Sequence, residues 1–143
     1  MAAAKLYSPE VLALATGLAD YPLDPSLPLF GEARSRTCGS AIRLGLALDD
    51  AGRIDRIGMQ VSACAIGQAS AMLLARAAAG RTAAEMAAIT GDWELWLADN
   101  GPLPDWPGAV ILAPARSHPA RHGALLLPWK AASIALSSVA TGR

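Results

Sequence analysis

Ile42-Arg43-Leu44-Gly45-Leu46-Ala47-Leu48-Asp49-Asp50-Ala51-Gly52-Arg53-Ile54-Asp55-Arg56-Ile57-Gly58-Met59-Gln60-Val61 is the stretch on which the fold turns. Ile42, Leu44, Leu46 and Leu48 fall on every second position, the period of a half-buried strand. Asp49-Asp50-Ala51-Gly52 reads as a turn with glycine available for positive φ. Beyond it Arg53–Val61 returns as the partner strand, with Ile57, Met59 and Val61 on one side and Arg56 and Gln60 on the other. Gly31–Thr37 is expected to add a third, edge strand.

Working outward, the period becomes helical after Cys64, through Ile66, Ala69, Met72, Leu73 and Arg76, with Gly80 as the C-terminal cap. Thr82-Ala83-Ala84-Glu85 is a capping box that opens another helix. Gly91–Asn100 reads as a separate short helix carrying Trp93 and Trp96, and Gly101–Gly108, with three prolines, as a surface loop. A last helix is expected from about Pro119 to Val139. Upstream, Ser8-Pro9-Glu10 has the N-cap, first-position proline and early acid of a helix start, with Val11, Leu12, Leu14, Ala15 and Leu18 as its apolar face. Asp20–Pro28 holds Pro22, Pro25 and Pro28 and reads as an extended linker against which little else pairs. The expected class is α+β, a three-stranded antiparallel sheet with helices packed on one face, among them Ala65–Ala79 and Pro119–Val139.

The 143 residues suit one domain, 1–143, with no repeat or linker to divide it. A hydrophobic fraction of 53% against 17% charged lies far from the disordered range. Twelve basic and twelve acidic residues cancel, and no basic stripe interleaved with aromatics points to nucleic acid. The apolar runs Ala109–Ala113 and Ala124–Pro128 are too short for a membrane span, which needs about 20 residues. No basic-then-hydrophobic leader opens the chain, so a cytoplasmic location is expected.

There a structural disulfide is disfavoured, so Cys38 and Cys64 are either small buried hydrophobes or thiols used for metal or sulfur chemistry. Cys38 precedes the most regular strand, beside the permissive Gly39. Cys64 opens a helix, where the dipole and free N–H groups favour an anion. A hairpin closed at Asp49–Gly52 brings both to one end of the strands, and their sulfurs should then come within bridging distance of one ion. Two thiolates make half of a tetrahedral zinc or iron site, and their spacing alone is no metal fingerprint.

Thr37-Cys38-Gly39-Ser40-Ala41-Ile42-Arg43-Leu44, the hairpin at Asp49–Ile57, Cys64-Ala65-Ile66-Gly67-Gln68-Ala69-Ser70-Ala71 and Gly80-Arg81-Thr82 together resemble the iron–sulfur cluster assembly scaffold family (IscU, SufU and the NifU N-terminal domain). The likeness spans most of the chain and is most specific between Cys38 and Thr82. Pro119-Ala120-Arg121 and Trp129-Lys130-Ala131 are similar to segments flanking a third cysteine in the SufU branch. The resemblance implies a platform or carrier rather than an enzyme. Cys38 and Cys64 would act as thiolate ligands or sulfur acceptors for a [2Fe–2S] cluster. A cysteine desulfurase would be the sulfur donor and apo iron–sulfur proteins the targets, with the site completed in one chain or in a homodimer.

Three departures stand out. The family's Gly-Asp aspartate is Ser40, the third cysteine is Ala124, and the histidine before it falls on Gly123, with His122 adjacent and His118 further off. The chaperone-binding Leu-Pro-Pro-Val-Lys sequence of the IscU branch is missing. Ser40 and His122 are thus weak candidate ligands beside the cysteines. Two alternatives stay open: a divergent member that binds the desulfurase or a target without building clusters, and a zinc module using Cys38, Cys64 and His122. The serines lack a glycine-flanked elbow, Asp49 and Asp50 suit a turn better than acid catalysis, and the tryptophans read as core or loop anchors.

Overall fold

The computed structural model describes residues 6–36 and 39–141. Its elements run α1 (Pro9–Thr16), a 3-10 turn (Gly17–Asp20), β1 (Leu29–Arg34), β2 (Ala41–Leu48), β3 (Ile54–Ser62), α2 (Ala65–Ala77), α3 (Ala83–Leu97), 3-10 segments (Ala109–Ser117 and Pro119–Arg121) and α4 (His122–Thr141). The sheet is antiparallel in the order β1-β2-β3. The α+β class and the three-stranded sheet are as the alternation implies.

Local chemistry explains most boundaries. Ser8 Oγ accepts the Val11 N–H at 3.1 Å and caps α1, whose Val11 and Leu14 are buried while Leu12 points to solvent. In the hairpin turn Asp49 Oδ1 accepts the N–H groups of Ala51 and Arg53, and Gly52 takes φ +79°. Helix α2 ends at Ala77, three residues before the left-handed Gly80 that the sequence marks as its cap. The capping box of α3 forms as read, with Thr82 Oγ1 accepting the Glu85 N–H and Glu85 Oε1 accepting the Thr82 N–H.

Three expectations are corrected. Gly91 does not break the helix: α3 runs unbroken from Ala83 to Leu97, because Met86, Ile89, Trp93 and Trp96 form one buried face across it. The Gly101–Gly108 loop is not all surface, since Trp106 is buried and its Nε1–H donates to the Leu73 carbonyl at 2.8 Å. The proline-rich linker does pair. Its Tyr21 carbonyl accepts the Met59 N–H at 2.9 Å, and the segment then crosses the outer sheet face towards β1. Gly45 and Gly58, paired across β2 and β3, make room for it: a Cβ on Gly58 would lie 2.1 Å from the Pro22 carbonyl oxygen. Within this linker Asp24 is held below the usual carboxylate range by hydrogen bonds from the Ser26 backbone and hydroxyl, aided by Arg56.

The opposite face, with Ile42, Leu44 and Leu46 fully buried, is covered by α4 and α2. Helix α4 lies directly on the backbone of β1, where a Cβ on Gly31 would meet the Ala131 carbonyl oxygen at 2.1 Å. Glycine is required at that crossing. In the core Trp129 packs tilted against Trp93 and edge-on to Trp106, at centroid distances of 5.3 and 4.9 Å. No helix among the described residues is long and apolar enough to cross a membrane.

Candidate functional site at the end of the sheet

β2 begins and β3 ends at one edge of the molecule, where Arg34, Ala41 and Ser62 stand side by side in the register. The chain leaves β1 and returns to β2 through a short loop. Its ends are tied by two backbone bonds, Ser35 N–H to the Ser40 carbonyl at 2.8 Å and Gly39 N–H to the Ser35 carbonyl at 3.1 Å. Gly39 takes φ +72°, a conformation that a side chain would strain. Cys38 lies in this loop but outside the described residues, and with it the expected approach of the two sulfurs. Ser40 is buried.

Cys64 sits two residues past Ser62, half-buried, as a free thiol at the N-cap of α2. Its backbone (φ −65°, ψ 172°) has the extended form of a cap, yet its side chain makes no capping hydrogen bond. The first-turn N–H groups of α2 thus face the thiol side of the sheet without a side-chain acceptor at the cap.

The start of α4 closes the site from the other side. A Cβ on Gly67 would lie 2.7 Å from Ala63 Cβ and 3.3 Å from both Ala124 Cβ and the Ala124 carbonyl oxygen. Ala124 therefore packs on the first turn of α2, fully buried, at the place the resemblance gives to a third cysteine. Ser70 Oγ donates to the Leu125 carbonyl at 2.6 Å and accepts the Trp129 Nε1–H at 2.8 Å, which fixes the two helices to each other. His122 is near the site but engaged. Its Nε2 lies 2.8 Å from the Arg116 carbonyl, which can only accept, so Nε2–H donates and Nδ1 alone keeps a free lone pair.

Of the sequence candidates, Cys64, Gly39 and Ser40 thus share the end of the sheet, and Ala124 borders it. Among the described residues no group of three or more His, Cys, Asp or Glu side chains is arranged to hold a metal ion. Sequence reading missed Gly67, whose lack of a side chain admits α4, and Ala63 beside it. The signal was there, in a glycine within the first turn of a helix, where it is costly unless something packs closely against it.

A small antiparallel sheet backed by helices, with a short loop into β2 and a helix whose N-cap position is Cys64 at one end, defines a scaffold-type α+β domain. The NifU-like N terminal domain model matches residues 20–94, more than half of the chain. The chain belongs to that family of iron–sulfur assembly scaffolds. A crystal structure of a nitrogen-fixing NifU-like protein (N-terminal) from Brucella abortus superposes with a TM-score of 0.88 at 28% identity over 96% of both chains. An iron–sulfur cluster assembly scaffold protein for the SUF system from Fervidobacterium islandicum AW-1 shares the fold. Its TM-score is 0.75 at 22% identity, over 92% of this chain and 96% of that one. No curated protein sequence matches the chain.

Proposed function

We propose that this protein is a cytoplasmic carrier in iron–sulfur cluster assembly that uses Cys38 and Cys64 as thiolate ligands or sulfur acceptors and turns over no small substrate. The observation that best supports this is the position of Cys64. It is a free thiol at an uncapped helix start, aligned across the Ala41–Ser62 pair with the locked loop that holds Gly39 and Ser40. Sulfur would arrive from a cysteine desulfurase by persulfide exchange. The Cys64 thiolate attacks the outer sulfur of the donor persulfide, the donor's S–S bond breaks, and the donor cysteine leaves as a thiolate. One S–S bond forms as one breaks, so no oxidant is needed.

A [2Fe–2S] cargo takes four donors, and the chain has two cysteines. The cargo is therefore held briefly, or with donors from a second copy or an external thiol, and then passed to apo-protein targets. Anaerobic reconstitution of the natural chain and of the S40D/A124C double variant, followed by visible absorbance, iron and acid-labile sulfide, tests this. Weak, labile loading of the natural chain and firmer loading of the variant is the expected result. Equal, firm loading of both means that other donors exist.

A second reading, a family member that binds partners without building clusters, is favoured by one feature: the third-ligand position is a fully buried alanine packed against Gly67. It wins if neither chain takes up iron or zinc while both still bind the desulfurase. A zinc site on Cys38, Cys64 and His122 would have to use His122 Nδ1 or break the bond to the Arg116 carbonyl. Zinc retention by the natural chain that is lost in H122A is the result that would support it.

A further inference from the structure

Charge is distributed unevenly along this neutral chain. Residues 33–48, 56–84 and 106–143 contain no Asp or Glu. These stretches supply the end of β1, all of β2, most of β3, all of α2 and all of α4, and so every element that meets at the Cys64 end. Cations are present there. Arg34 stands in register with Ala41 and Ser62, and Arg36 follows it, both exposed. The contact of Ala124 with the first turn of α2 brings the start of α4 to the same end, with Arg121 leading into it.

Two of the acids outside these stretches are paired, Glu32 with Arg43 at 2.9 Å and Asp99 with Arg116. The acids gather elsewhere: Asp49, Asp50 and Asp55 lie at the hairpin turn, and Glu85 joins them where Arg53 bridges to Thr82. The hairpin end mixes these acids with Arg53, Arg56 and Arg81, whereas the stretches that meet at Cys64 hold cations and no acid.

We propose that the Cys64 end is an electropositive docking face for an acidic surface on a protein partner. This deepens the reading above, on which it rests: the partner is the donor whose sulfur must reach Cys64. The arginines come from two separate segments, one leaving the sheet after β1 and one leading into α4, a layout that fits a broad surface better than a small anion. Nucleic acid fits less well, because all four tryptophans are buried and offer no stacking platform. Complementary fields of this kind raise encounter rates and are screened by salt.

The test uses two readouts. In a C38S background, Cys64 is the sole thiol, and its alkylation rates by anionic iodoacetate and neutral iodoacetamide are compared. The iodoacetate-to-iodoacetamide ratio should fall several-fold as salt rises from about 50 to about 300 mM. It should fall as far in R34E/R36E/R121E, with R34Q/R36Q/R121Q in between; far-ultraviolet circular dichroism checks that the variants fold. Desulfurase binding should weaken by about tenfold or more in the charge-reversed variant and with added salt. A rate ratio indifferent to both salt and charge overturns the proposal. So does desulfurase binding that is strong and unchanged in the charge-reversed variant, which leaves the assembly reading standing. A natural chain that binds no desulfurase at any salt overturns both. Binding a single-stranded oligonucleotide as tightly as the desulfurase also overturns it, by making the face a general polyanion site.

Discussion

Helices α2 and α3 begin with nearly the same backbone and opposite side-chain chemistry. The N-cap of α3, Thr82 (φ −93°, ψ 165°), and that of α2, Cys64 (φ −65°, ψ 172°), are both extended. At α3 the hydroxyl accepts the N–H three residues on, and Glu85 reaches back to close the box. At α2 the corresponding residues are a thiol that accepts nothing and Gly67, which has no side chain at all. The first helix start satisfies its own backbone; the second leaves donors and a thiol facing the end of the sheet. Local rules of helix capping are broken at the helix start for which the sulfur-accepting role is proposed and kept at the other, the pattern a functional site would leave.

The largest effect should come from forcing the second start to resemble the first. Gly67→Glu supplies the acidic partner of a capping box, and a negative charge at a helix N-terminus is favourable by a few tenths of a kcal/mol. Its Cβ, however, would sit 2.7 Å from Ala63 Cβ and 3.3 Å from the backbone of α4. Overpacking should dominate, with a net loss of about 2–3 kcal/mol in urea unfolding. A63G/G67E should recover part of that loss. A neutral or stabilising G67E would mean that α4 does not press on this turn.

The same comparison shows what the sequence could reveal. Strands β2 and β3, the Thr82 box and the Ser8-Pro9 start were legible because each is encoded within a few residues by period or cap chemistry. The unbroken course of α3 through Gly91 was not. It depends on Trp93 and Trp96 being buried against partners far along the chain, and tertiary burial outweighs a propensity cost of about 1 kcal/mol for one glycine. The docking of the proline-rich linker was hidden for the same reason, although the strand glycines Gly45 and Gly58 signalled a close backbone approach. At the site, the cysteines and Ser40 were readable by type. The crowding of Ala63, Gly67 and Ala124 was not, since it exists only once α4 has returned to α2.

A smaller effect is expected where capping is complete. Thr82→Ala removes the hydroxyl that accepts the Glu85 N–H and opens the box, and should cost about 1 kcal/mol by denaturant titration. Glu85→Ala should cost less, because Thr82 still caps. Neither change should alter Cys64 alkylation rates, as both lie at the hairpin end of the sheet. A T82A variant with altered thiol reactivity would show that the two helix starts are coupled.

The smallest stability effect should carry the opposite sign. Cys64→Ser places a hydroxyl on a backbone already in cap geometry, and serine is among the strongest N-cap residues. The exchange should stabilise α2 by about 0.5–1 kcal/mol, since the oxygen can accept a first-turn N–H that the thiol leaves unbonded. The same variant, lacking the nucleophile, should accept no sulfur from a desulfurase persulfide at this position. Denaturant midpoints, together with labelled-sulfur transfer in a C38S background, measure both quantities on one protein. A chain that becomes more stable as it loses sulfur acceptance would show that Cys64 is kept against the preference of the fold. A C64S chain that is less stable would mean instead that the sulfur packs as a core group, and the contrast between the two helix starts would then be one of packing rather than of function.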